Sequence, residues 1–313
     1  MLPRIADSLS FLYMDMVRIV QDDTGVCAQI RVDEQRTDTV YIPTAALSCL
    51  LLGPGVSITT RAMATLARHG TSVVMTGAGG VRTYASVLPD SLTTTWLERQ
   101  VHAYADTERR LAVAVRMYEM RFDDDVPASA TLDILRGMEG QRMKTLYRLL
   151  AQQHGIGRFR RNYHPDQWHE QDPVNLALSA ANTCLYGIVH AALIALGCST
   201  ALGFVHAGKQ HAFVYDIADL YKAEVTLPLA FALNDSASPE QDARRKLREN
   251  LRLVQLLPRI VRDVQALLNP GLDTDTDTEQ ARTDRHSVDI VHLWDPKAGV
   301  LPAGVNYARG EHG

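Results

Sequence analysis

The first 88 residues alternate short apolar runs rich in Val, Ile and Thr with clusters of turn formers. Runs at 16–20, 26–32, 39–42, 71–75 and 81–87 predict strands. Between them stand Asp22-Asp23-Thr24-Gly25, Gly53-Pro54-Gly55 and Gly77-Ala78-Gly79-Gly80, residues that favour tight turns. One helical insert over 59–68 closes at Gly70. After the linker-like Leu88-Pro89-Asp90-Ser91 the apolar positions recur at helical spacing. The pattern predicts helices over 96–121, 131–154, 174–196, 214–233 and 239–268, with Pro228 set to bend or split the fourth. The segment between Gly155 and Pro173 is polar, aromatic and irregular. The expected fold is therefore α+β. A β-rich, sandwich-like N-terminal domain spans 1–88, a larger all-α domain spans 89–268, and a tail over 269–313 is expected to be mobile unless a partner orders it.

Composition changes this picture little. The chain has 313 residues, 46% hydrophobic and 22% charged, which excludes wholly disordered, collagenous and disulfide-scaffold classes. Cys27, Cys49, Cys184 and Cys198 are scattered and never spaced as CxxC, which fits a reducing, cytoplasmic setting. The N-terminus has no long apolar core after a basic start and does not read as a secretory signal. Residues 173–206 carry no Asp, Glu, Lys or Arg, long enough to span a bilayer. Polar Asn175, Asn182 and His190 and the break at Gly197 instead predict a helix buried in a protein core, and no membrane partner. The net charge of −4 is concentrated in residues 273–289, where six acids face two arginines. The balanced remainder leaves local basic clusters, Arg158, Arg160 and Arg161, then Arg244, Arg245, Lys246, Arg248 and Arg252, which are solvated faces or positive patches.

No phosphate-cradling GxxxxGK[ST], HExxH, GxSxG or dinucleotide GxGxxG stands in a strand-to-helix setting. Three polar features remain. Glu139 lies between Gly137 and Gly140, either a carboxylate favoured by the start of a helix or one left open to close backbone approach. His206 stands in Gly203-Phe204-Val205-His206-Ala207-Gly208-Lys209, where a lone histidine is ordinarily a satisfied core or surface residue. Asp216 and Asp219, three apart amid apolar residues, would share one helix face, costly for like charges without compensation. Together, a Glu, a His and a paired Asp on helices of one domain could form an oxygen-rich site for Mg²⁺ or Mn²⁺ suited to metal-assisted phosphoryl transfer.

Taken in order, Gly80-Val-Arg82-Thr-Tyr84-Ala-Ser, Gly137-Met-Glu139-Gly, Asn182-Thr-Cys-Leu-Tyr186-Gly, the His206 motif and Phe213-Val-Tyr-Asp216-Ile-Ala-Asp219 resemble the CRISPR-associated integrase family, the larger of the two adaptation proteins, in its type I-E form. The likeness runs from about residue 5 to about residue 265. It implies a β-rich domain that dimerises and a helical domain holding Mg²⁺ or Mn²⁺ through Glu139, His206 and Asp219, with Asp216 beside them as a fourth catalytic residue. It implies two homodimers clamping a small companion adaptation protein, carrying double-stranded DNA with splayed 3′ ends, and inserting it into CRISPR repeat DNA by 3′-hydroxyl transesterification. Cleavage of branched DNA follows from the same site. The family places a duplex-end tyrosine at Tyr13, otherwise a strand aromatic packing in the sandwich. Arg82, Arg136, Tyr163, Trp168, Tyr186, Lys209 and Tyr215 match positions along the DNA path or active site. Arg61 and Arg68 depart from the family's usual backbone-contacting arginines. The tail shares little with close relatives: 273–279 is acidic, and 288–294 is a short apolar stretch expected to dock the companion. A catalytically silent DNA-binding scaffold and a hydrolase of small phosphoesters are the competing readings.

Overall fold

The computed structural model describes residues 11–78, 83–122, 126, 127, 129–161, 172–254, 256–269, 292–295 and 299–302. Residues 1–271 form one compact unit and 272–313 a second.

In the first unit, β1 (Phe11–Met14), β5 (Cys49–Leu52), β7 (Ser72–Thr76) and β8 (Thr83–Val87) make one sheet in the order β1-β5-β7-β8. Its first three strands are parallel and β8 is antiparallel to β7. A second sheet runs β4-β3-β2-β6, from β2 (Arg18–Gln21), β3 (Val26–Arg31), β4 (Thr37–Tyr41) and β6 (Ser57–Ile58). Ile19, Val26 and Ala28 of this sheet meet Leu50, Leu52 and Val73 of the first, with Ala62 and Leu66 of α1 (Thr60–Arg68) completing the core. Helix α1 starts where the Thr59 hydroxyl accepts from the Ala62 amide, as the helical spacing over 59–68 predicts.

The pattern of residues did not predict β1, β5 or β6. The reason is clearest in β5, whose Cys-Leu-Leu-Leu has no alternation because every residue is buried. Leu50 and Leu52 face the second sheet, while Cys49 and Leu51 pack on Ala191, Ile194 and Ala195 of α5 (Pro173–Leu196). A parallel strand covered on both faces reads as a continuous apolar run. Truncating such a side chain, as in Leu50→Ala, removes about 2–5 kcal/mol of stability.

Helix α5 is the axis of the helical part. Asp172 caps it, Pro173 opens it, and Gly197, at φ 78°, ends it in the left-handed conformation that glycine adopts without strain. Its length and apolarity match a membrane span, yet 83% of its most apolar window is buried inside the protein, as the sequence predicted. Around it pack α6 (Ala212–Tyr221), α7 (Leu227–Phe231), α8 (Pro239–Val254) and α9 (Leu256–Leu268).

The predicted helix over 96–121 is two helices, α2 (Thr95–Ala105) and α3 (Thr107–Phe122), because the Asp106 carboxylate accepts the Arg109 amide at 2.8 Å and starts a new helix. The region 131–154 forms α4 (Leu132–Gln153), capped by Thr131. The bend expected at Pro228 begins a turn earlier, in a π turn over Lys222–Thr226 that joins α6 to α7. The expected helix over 239–268 is helical on both sides of residue 255, as α8 and α9, and residue 255 itself lies outside the described residues.

In the second unit the described residues are an antiparallel hairpin of β9 (His292–Asp295) and β10 (Gly299–Pro302). The apolar stretch 288–294 enters β9 at His292. The acidic segment 273–279 lies outside the described residues.

Candidate active site

Glu139, Asp216 and Asp219 line one small cavity, together with Met117, Tyr118, Arg121, Val205 and Leu220. Glu139 comes from α4, Tyr118 and Arg121 from the last turns of α3, and the two aspartates from α6. The loop joining α5 to α6 contributes Val205 to the lining, and His206 follows it in the chain.

Asp216 organises that loop. Its buried carboxylate accepts the amides of Phe204 (2.5 Å), Val205 (3.0 Å) and His206 (2.8 Å), and bonds His206 Nδ1 at 2.7 Å. An ionised carboxylate only accepts, so Nδ1 carries the hydrogen, and in the neutral ring Nε2 keeps the lone pair. The Asp216 bond raises the His206 pKa above its usual value, against the opposing effect of burial.

Three more side chains clamp the same loop. Buried Gln100 of α2 donates to the carbonyls of Ser199 (2.8 Å) and Leu202 (3.0 Å) and accepts the Ser199 amide at 2.8 Å. Arg110 of α3 donates to the carbonyls of Gly203 and Phe204. Arg136 of α4 reaches the Val205 carbonyl at 3.3 Å. At Gly203 a Cβ would stand 2.6 Å from the His206 carbonyl oxygen and 2.8 Å from the Ala212 carbonyl carbon, so only glycine fits.

The remaining carboxylates face cations. Arg121 Nη1 lies 2.5 Å from Glu139 Oε1 and 3.9 Å from Asp219 Oδ2. The Tyr118 hydroxyl donates to Glu139 Oε2 at 3.0 Å. Burial and the Glu139 charge push the Tyr118 pKa upward. Lys222, first residue of the π turn, sets Nζ 2.5 Å from Asp219 Oδ1 and 5.0 Å from the centre of the Tyr186 ring. Burial works against its charge, but Asp219 and Tyr186 together outweigh that and raise the lysine pKa. Asp219 Oδ1 is buried and lacks a partner of good hydrogen-bond geometry, so the lysine contact is an ion pair off the bonding direction.

Aromatic side chains flank the site. Tyr186 and Tyr215 meet edge to face at 5.0 Å, and His206 lies 5.8 Å from Tyr215. Beyond them His190 and His211 pair at 5.2 Å, with burial and then His211 lowering the His190 pKa to about 4.

The structure therefore brings together Glu139, His206, Asp216, Asp219, Arg136, Tyr186 and Tyr215. Lys209 is exposed on the His206 loop. Tyr13 is half-buried in β1, packing on the cluster that joins the first sheet to α5, its hydroxyl donating to Asp15 Oδ2 at 3.1 Å. Arg82, Tyr163 and Trp168 lie outside the described residues. Among the described residues, no three His, Cys, Asp or Glu side chains stand close enough to hold one metal ion. The donor set is nevertheless chemically suited to a hard divalent cation: three carboxylates line one cavity, and Asp216 holds the His206 imidazole through Nδ1. Sequence reasoning missed Gln100, Arg110, Tyr118, Arg121 and Lys222. The i,i+3 spacing of Lys222 from Asp219 was the one signal available for any of them.

A helical domain presenting carboxylates and a carboxylate-held histidine beside cationic and aromatic groups defines a class, and comparison with known proteins gives its family. The family described as CRISPR associated protein Cas1 matches residues 26–124 and 118–255. This chain belongs to that family. It is 39% identical over 312 residues to a CRISPR-associated endonuclease Cas1 of Clostridium sp. (strain SY8519), covering 98% of this chain and 99% of the relative. To the CRISPR-associated endonuclease Cas1 of Escherichia coli (strain K12) it is 37% identical over 269 residues, covering 85% and 87%. The crystal structure of a TtCas1–DNA complex superimposes with TM-score 0.75 at 40% identity, covering 87% of this chain and all of that one. A casposase bound to integration product, at 15% identity and TM-score 0.56, shares the fold.

Proposed function

We propose that this chain is a divalent-metal-dependent DNA integrase and endonuclease of CRISPR adaptation, of the type I-E form. It would insert short double-stranded DNA with splayed 3′ ends into CRISPR repeat DNA and cleave branched DNA. The observation that carries the reading is the convergence of Glu139, Asp216 and Asp219 on one cavity with His206 bonded to Asp216. Relatives named endonucleases and the neighbour solved with DNA support it.

Glu139, Asp219 and His206 through Nε2 would hold Mg²⁺ or Mn²⁺. Bound there, the ion supplies polarisation of a phosphodiester and a lowered pKa for the attacking hydroxyl. Asp216 fixes the tautomer and orientation of His206 and anchors three amides of its loop. Arg136 and Lys209 attract the phosphate backbone, while Tyr186 and Tyr215 offer faces and edges to unpaired bases. In strand transfer the 3′-hydroxyl oxygen of the incoming DNA forms a bond to phosphorus of the repeat. The bond to the leaving 3′ oxygen breaks, and that oxygen takes up the proton. Tyr13 would contact the duplex end. A homodimer, two per complex with the small companion protein, would work in the cytoplasm, where the thiols of Cys27, Cys49, Cys184 and Cys198, all buried and unbridged, stay reduced.

The test is incubation of intact protein and Glu139→Ala with branched DNA and Mn²⁺. Cleavage and strand transfer should vanish in the variant while duplex binding, carried by phosphate contacts elsewhere, is nearly kept. Full activity in Glu139→Ala would sink the assignment, and inactivity of the intact protein would favour the silent scaffold.

A further inference from the structure

Arg121 was not distinguished by the sequence, and its guanidinium is 6% exposed at the end of α3. Its Nη1 stands between Glu139 Oε1, at 2.5 Å, and Asp219 Oδ2, at 3.9 Å. The second Glu139 oxygen accepts from Tyr118, and Asp219 Oδ1 faces Lys222. Two carboxylates are thus matched by two cations in a half-buried cavity, while Asp216 is committed to the His206 loop. A hard divalent ion needs its oxygens at about 2.0–2.6 Å. Nη1 lies against oxygens of both carboxylates that would hold the ion, so guanidinium and ion would compete for the same negative charge.

We propose that Arg121 is the resident cation of this site: it neutralises Glu139 and Asp219 while no metal is bound, and its displacement sets the affinity with which a divalent ion enters. The inference rests on the proposed metal site. Two arrangements of the same carboxylates follow. In one, Arg121 links α3 to α4 and α6 and keeps the cavity folded. In the other, Arg121 has withdrawn from Glu139 and an ion joins the two carboxylates. Removing the guanidinium charge takes away the competitor for the ion together with the metal-free protein's own source of neutralisation.

The experiment measures Mn²⁺ binding to the full chain without DNA, by electron paramagnetic resonance of free Mn²⁺, alongside thermal melting in EDTA. Arg121→Gln should bind Mn²⁺ on the order of tenfold more tightly than the unsubstituted chain. It should melt lower in EDTA and recover more on adding Mn²⁺ than the unsubstituted chain does. Unchanged or weaker Mn²⁺ binding by folded Arg121→Gln would overturn the proposal and leave Arg121 as a support for Glu139. If Arg121→Gln does not fold even with Mn²⁺, Arg121→Lys is measured instead. The shorter lysine stem sets its ammonium back from the place where Nη1 meets both carboxylates, so tighter Mn²⁺ binding is expected and unchanged binding refutes. Glu139→Gln separates this inference from the one beneath it. Mn²⁺ binding that Glu139→Gln abolishes but Arg121→Gln leaves alone defeats only the role of Arg121, and no Mn²⁺ binding by the unsubstituted chain defeats both.

Discussion

Replacing Asp216 by Asn changes one atom and tests how the site is held. Oδ2 accepts the amides of Phe204 and Val205, and Oδ1 accepts the amide and ring N–H of His206. An asparagine offers an oxygen on one side and an NH₂ on the other. If the NH₂ faces Phe204 and Val205, two buried amides lose their acceptor and meet a donor. If it faces His206, the backbone amide is unpaired and the ring must turn Nδ1 into an acceptor, which moves the hydrogen to Nε2. Each unpaired buried amide costs about 1–3 kcal/mol, so the substitution should remove about 2–5 kcal/mol of stability. At about 2 °C per kcal/mol for a chain of this size, the melting temperature should fall by roughly 4–10 °C. The His206 pKa is raised in the folded protein, so the imidazolium pair stabilises fully below the unfolded value of 6.5 and loses that contribution as pH rises through the folded pKa. The gap between the two proteins should therefore be wider at pH 5.5 than at pH 8.5, yet persist at both, since the amide contacts do not titrate. Melting by circular dichroism at the two pH values reads the result. A variant melting within a degree of the parent at pH 5.5 would refute the accounting.

Other substitutions probe the same loop and its surroundings. Gly203→Ala drives a Cβ into the His206 carbonyl and the Ala212 backbone, and should cost at least about 1–3 kcal/mol in a denaturant titration while lowering branched-DNA cleavage. Gln100→Leu leaves the Ser199 amide and two carbonyls without their partner and should cost about 1–3 kcal/mol. Its cleavage activity should fall although Gln100 lies outside the cavity. Gly137 stands inside α4 with open space where a Cβ would go, so Gly137→Ala should stabilise by about 1 kcal/mol. If DNA passes close to that turn, filter binding should weaken in the same variant.

The carboxylates and the histidine were legible because their motifs are local: Asp216 and Asp219 are one helical turn apart, and His206 sits between glycines that permit a tight loop. What Asp216 does was not legible. A carboxylate three residues from another reads as a second ligand, whereas here it is an acceptor for backbone amides ten to twelve residues away. Arg121 looked like any cation favoured at a helix C-terminus, and Gln100 like a polar residue of an amphipathic helix. Their roles arise only when α2 and α3 pack against the loop after α5. In the fold, runs rich in Val, Ile and Thr marked β2, β3, β4, β7 and β8, but β5 is a leucine run without a β-branched residue or a solvent face to set it apart. The split at Asp106 was present as an N-cap signal and was outweighed by the continuous helical spacing around it.

The π turn over Lys222–Thr226 makes chain length itself a determinant in this region. Upstream, α6 must direct Asp219 to the cavity; downstream, α7 must direct Leu229, Ala230 and Phe231 into the core beneath α5. An α-helix advances about 100° per residue, so deleting one residue from the wide turn to make it regular would swing one half about that far relative to the other. Either the carboxylate would leave the cavity or the aromatic would leave the core. Single-residue indels between Asp219 and Leu229 should be far more damaging than the same indels in the exposed turn around Asp235, a phase constraint that no substitution at either end could relieve.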